Sequence, residues 1–195
     1  MSTNNRSSRR RFLGHTAAAA SVVFGAPAIL KSAAPNGMLQ VASIGVGGMG
    51  GSTMTGVARH SKVKIVALCD VDERTLKTAS KTHPDATNYV DWRELLANAD
   101  KFDAVTIGTP DHMHAAPAVL AIRAKKHVYL QKPMASTLHE CRVITEEAKK
   151  AGVITQLGNQ GRSSIESRMA VELLKSGAIG KIKEVILWRL RSYEF

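Results

Sequence analysis

At 195 residues the chain is long enough for one full domain and part of another, and a 44% hydrophobic share excludes a wholly disordered protein. The net charge of +11 raises the question of a nucleic-acid partner, but five of the 27 basic residues fall in residues 1–34. The others mostly alternate with acids along prospective helices, as in Thr145-Glu146-Glu147-Ala148-Lys149-Lys150, which describes a solvated face, so no nucleic-acid binding is expected. Cys69 and Cys141 are too few for a disulfide framework, and Cys69, at the end of an apolar run, is expected to be a buried thiol.

Residues 1–34 read as an address. A basic start is followed by an uncharged, Ala-rich apolar stretch from Phe12 to Leu30 that contains Gly14, Gly25 and Pro27. This is weak for a spanning helix and suits the apolar part of a signal peptide. Ser8-Arg9-Arg10-Arg11-Phe12-Leu13 resembles a twin-arginine export signal, which implies the twin-arginine machinery as a partner and a periplasmic destination in a bacterium. Ala26-Pro27-Ala28 or Ser32-Ala33-Ala34 could serve a signal peptidase. An uncleaved anchor or a chance basic tail is the alternative.

From Met38 onward, short apolar runs alternate with helical patterns. Met38–Ile44 reads as a strand, Ser52–His60 as a helix, and Val63–Asp70 as a strand ending on an acid. Glu73–Lys81 is a helix stopped before Pro84, and Asp91 caps another over 92–99. Strand Phe102–Pro110 ends in turn residues, and helix Ala115–Lys125 carries Pro117 in its first turn. His127–Leu130 is a strand. Ser136 or Thr137 starts a helix that stops at Gly152, and strand Val153–Gly158 follows. Ser163 or Ser164 caps a helix running to Ser176, with Gly177 as its terminator. Residues 182–191 alternate in character and are predicted to form a last strand. The alternation predicts α/β architecture with a parallel sheet of β-α-β units. The unpartnered last strand suggests that a second domain begins here and is incomplete.

Gly45-Val46-Gly47-Gly48-Met49-Gly50 fits G-x-G-x-x-G between a predicted strand and a helix. Glycine at these places makes a tight turn, lets the backbone approach a pyrophosphate, and allows the helix to pack closely on the strand. The helix N-terminus then presents free N–H groups to the phosphates. Asp70 ends the next strand and can accept hydrogen bonds from ribose hydroxyls. It would repel a 2′-phosphate, so NAD is expected over NADP.

Together with Thr109-Pro110-Asp111-His112-Met113-His114-Ala115 and Leu130-Gln131-Lys132-Pro133-Met134-Ala135, these residues resemble the Gfo/Idh/MocA family of oxidoreductases, from about Met38 to the end of the chain. Gly158-Asn159-Gln160-Gly161-Arg162-Ser163-Ser164 and the segment after it look like the family's exported subgroup. The resemblance implies a doubly wound Rossmann domain over 35–158. The start of a second α/β domain, for substrate binding and homo-oligomerisation, would occupy 159–195. It also implies hydride transfer between NAD(P) and a sugar, cyclitol or related polyol.

The cofactor-facing set that it implies is Gly45, Val46, Gly47, Gly48, Met49, Gly50, Asp70, Thr109, Pro110, His114, Gln131 and Lys132. Lys132 would be catalytic, orienting the reacting hydroxyl and helping its proton leave, and partial burial is expected for it. Without the resemblance it would read as a snorkelling strand-end lysine. The family signature Glu-Lys-Pro falls on Gln131-Lys132-Pro133, so a neutral amide stands beside Lys132 where the family has a carboxylate. Asn159 and Gln160 could meet the carboxamide or substrate, or cap the next helix. His112 and His114 are too few and too local for a metal site, and none is expected. Two further functions remain open: an NAD-dependent glycosidase working by transient oxidation and elimination, and a non-catalytic NAD-binding module.

Overall fold

The computed structural model describes residues 37–187, so the segment read as an export signal lies outside the described residues. Six strands form one sheet: β1 Leu39–Ile44, β2 Val63–Cys69, β3 Thr87–Tyr89, β4 Ala104–Ile107, β5 His127–Gln131 and β6 Thr155–Gly158. Six helices alternate with them: α1 Gly48–Ala58, α2 Glu73–Thr82, α3 Trp92–Ala97, α4 Ala115–Arg123, α5 Leu138–Ala151 and α6 Ile165–Lys175. The strand order is β3-β2-β1-β4-β5-β6 and every pairing is parallel. The chain order therefore reverses between β1 and β4, where doubly wound sheets open a crevice for ligands.

Both faces of the sheet are covered, which is why the central strands read as continuous apolar runs. On one face Val41, Ile65 and Leu68 pack with Met54 of α1 and Leu76 of α2. On the other, Ile44, Val105, Ile107 and Leu130 pack with Leu95, Ile122 and Ile144 of α3, α4 and α5. Burying a side chain of this size contributes roughly 1.5–3 kcal/mol. The polar core pair is satisfied, since the Thr106 hydroxyl donates to Ser43 Oγ at 2.9 Å.

The helix ends carry their own signals. Asp72 and Asp91 accept the second backbone N–H of α2 and α3. Thr137 and Glu140 form a capping box on α5, which ends on Gly152 at φ +67°.

Three expectations are corrected. Helix α1 begins at Gly48 and not at Ser52, because the turn glycines themselves enter the first turn. Strand β3 was not expected: Thr87 and Asn88 are exposed, and only pairing with Ala67–Cys69 makes the segment a strand. Residues 182–187 form no strand, and 188–191 lie outside the described residues. A strand exists through its neighbour, and alternation alone supplies none.

Candidate functional site

The sheet register builds the site. Ile44 lies beside both Cys69 and Ile107, so Gly45, Asp70 and Gly108 leave their strands side by side. Backbone bonds continue the ladder across these exits, from Gly45 N–H to the Cys69 carbonyl and from Gly108 N–H to the Ile44 carbonyl, each at 2.8 Å. Above them opens a cleft of about 850 Å³.

The glycines are required by contact. Gly45 has φ +77°, and a Cβ on it would come 2.7 Å from the Gly108 and Thr109 backbone. A Cβ on Gly50 would stand 2.1 Å from the Gly45 carbonyl oxygen, and one on Gly108 would stand 2.3 Å from the Gly50 Cα. The main chains of α1 and of the β4 exit thus touch directly. Gly108 was not singled out in the sequence, because its reason for being glycine lies 58 residues away, at Gly50.

Asp70 holds the turn. One carboxylate oxygen accepts from Val46 N–H at 2.9 Å and the other from Asp72 N–H at 3.0 Å. Each oxygen keeps a free lone pair, so the group can still accept a hydroxyl from the cleft. Beside it, burial pushes the Cys69 thiol up to about 12, with Asp70, Asp91 and Glu94 adding to the effect. The far wall carries Trp92, with the Arg93 guanidinium 4.5 Å from its ring centroid. The sequence marked this stretch only as a capped helix.

The predicted site residues divide into three groups. Gly45, Gly47, Gly48, Met49, Asp70, Thr109 and Pro110 line the cleft. Val46 and Gly50 are buried beneath it: Val46 packs in the core and its N–H is taken by Asp70. His114, Gln131 and Lys132 lie outside the lining.

His114 is 1% exposed, with Nδ1 2.6 Å from the Pro133 carbonyl oxygen and Nε2 2.9 Å from that of Thr109. It is therefore no open ligand contact, because both ring nitrogens face backbone. Gln131 is also buried: its amide donates to the Thr53 hydroxyl on α1, and its oxygen accepts from Gln160 at 2.8 Å. Gln160 is thus occupied by Gln131. Lys132 is exposed rather than half-buried, and its ammonium has no hydrogen-bond or ion-pair partner among the described residues. His112 lines the cleft while His114 is sealed behind it, so the two rings do not converge.

A dinucleotide fits these residues. The helix α1 N-terminus and the Cβ-free turn offer N–H groups and room for a pyrophosphate, Asp70 offers a ribose acceptor, and Thr109 Oγ1 is buried with no partner.

Comparison with known proteins agrees with this geometry. The profile of an oxidoreductase family with an NAD-binding Rossmann fold matches residues 39–159. A 1-carboxy-3-chloro-3,4-dihydroxycyclohexa-1,5-diene dehydrogenase of Comamonas testosteroni is 34% identical over 143 residues, which are 72% of this chain and 36% of that protein. A glycosyl hydrolase family 109 protein of Solibacter usitatus is 34% identical over 160 residues, 76% of this chain and 36% of that protein. The crystal structure of myo-inositol 2-dehydrogenase from Lactobacillus plantarum superposes with a TM-score of 0.68 at 27% identity, covering 74% of this chain and 43% of that one. The chain thus spans well under half the length of these relatives.

Proposed function

Because the chain belongs to the Gfo/Idh/MocA family of oxidoreductases, we propose that the protein is an NAD-dependent oxidoreductase acting on a hydroxyl of a sugar, cyclitol or related polyol. The observation that carries this reading is the cleft itself, where the glycine turn, Asp70 and Thr109 converge at the reversal of strand order. NAD, when bound, supplies the hydride acceptor. The chain's own residues bind and orient. The turn takes the pyrophosphate, Asp70 accepts the ribose hydroxyls and disfavours a 2′-phosphate, and Lys132, free at the exit of β5, orients the substrate hydroxyl and assists its proton.

In the full-length protein, Lys132→Met is expected to lower turnover by about 10²- to 10⁴-fold, the usual worth of acid–base assistance, and to leave NAD affinity nearly unchanged. Turnover is read as NADH formation with a panel of cyclitols and sugars. Wild-type turnover in the variant would reduce Lys132 to a strand terminator.

The similarity to a glycosyl hydrolase family 109 protein favours one second reading, a glycosidase that uses NAD without net redox change. Glycoside cleavage with no accumulated NADH would identify it. Two further parts of the proposal concern the rest of the chain. Residues from 159 open the substrate and oligomerisation domain; in support, α6 has no buried residue within the described chain. Export proceeds by the twin-arginine route, on the strength of Ser8–Leu13.

A further inference from the structure

Lys132 is exposed, yet the residues on both sides of it are anchored. Gln131 is tied to Thr53 and Gln160, and the Pro133 carbonyl is tied to His114, whose other nitrogen reaches the Thr109 carbonyl. We propose that His114 is a positioning residue that joins the exits of β4 and β5 into one rigid rim at the nicotinamide end of the cofactor site. This rests on reading the cleft as an NAD site.

The strand order gives the direction. Asp70 follows β2, the glycine turn follows β1, Thr109 follows β4 and Lys132 follows β5, and these strands are neighbours in that order. A dinucleotide held at Asp70 and the turn sends its other half toward Thr109 and Lys132. Register sets Ile107 beside Leu130, so the two loops leave the sheet at one level. Among the described residues no backbone hydrogen bond joins the segment after β4 to the segment after β5, and His114 supplies a cross-link there. His114 itself sits on the segment after β4, so the contact that joins the two exits is the one from Nδ1 to the Pro133 carbonyl, made as a hydrogen bond by a ring that carries its proton on Nδ1. At 1% exposure no water can take over. A buried imidazole needs polar partners, and those of His114 lie one on each of the two loop exits.

The test compares NADH with ADP-ribose, which lacks the nicotinamide half, in calorimetric titrations of the full-length protein. His114→Gln, which keeps one donor, and His114→Ala are both expected to weaken NADH by roughly tenfold or more, the worth of a hydrogen bond to a buried group. Gln should lose less than Ala, and ADP-ribose affinity should stay within about twofold. Equal losses for both ligands, or no loss for either, would overturn the proposal. Binding of neither ligand by the wild type would remove the NAD-site reading beneath it. Should both variants fail to fold, nitrogen NMR of the wild-type ring decides. Its signals should move when NADH binds and stay in place with ADP-ribose, and no distinction between the two ligands would overturn the proposal.

Discussion

Asp70 sets two properties with one carboxylate. Its contacts with Val46 and Asp72 fix the glycine turn, and its carboxylate lines the cleft where the proposed function puts a ribose. Asp70→Ser is expected to weaken NAD binding and to narrow the preference over NADP, because the repulsion of a 2′-phosphate disappears. Equal affinity for the two cofactors in the unaltered protein would refute the assignment. Cys69 gives a prediction from pH. Its thiol is 2% exposed and pushed up to about 12, so between pH 9 and 12 the native state keeps a proton that the unfolded chain has lost. Stability therefore falls as pH rises above 9, by about 1.4 kcal/mol per unit from this group. Cys69→Ala should lower stability at neutral pH by leaving a cavity, yet flatten that alkaline decline in urea titrations. An unchanged slope would contradict the assignment. At this scale the sequence was legible where a spacing motif stands in its expected context: the turn glycines between a strand and a helix, and Asp70 at the end of the next strand. Gln131 and His114 were read as facing the cofactor because nothing in one dimension tells which wall of a loop a side chain enters. Their partners stand up to 78 residues away.

The elements repeat that contrast. The capped helices were visible, since Asp91, Thr137 and Gly152 mark their own ends. Strand β3 was invisible, since its three residues become a strand only against β2. Helix α1 offers an internal comparison. Gly50→Ala drives a Cβ to 2.1 Å from the Gly45 carbonyl oxygen, whereas Gly56, in the same helix, meets nothing within 4 Å. The first substitution should cost about 3 kcal/mol or more by overpacking, and Gly56→Ala should stabilise by roughly 0.5–1 kcal/mol. Thermal melts would separate them by sign, and like effects from both would mean that helix propensity alone governs α1.

For the whole molecule, charge and length carry the argument. Five basic residues and no acid occupy 1–34, and under the proposed export route Arg9 and Arg10 would be the pair that a twin-arginine receptor reads. Replacing both by lysine keeps the charge but is expected to leave the precursor in the cytoplasm. Fractionation of cells carrying the variant checks this, and undiminished periplasmic delivery would count against the signal. The direct contact of Gly50 and Gly108 has a mechanical consequence. Where side chains lie between a helix and a sheet, the layer can shear by small rotamer changes. At Gly50 and Gly108 backbone rests on backbone, so the start of α1 has no such slack against the exit of β4. Breathing that admits or releases a ligand is therefore expected to carry these two segments together.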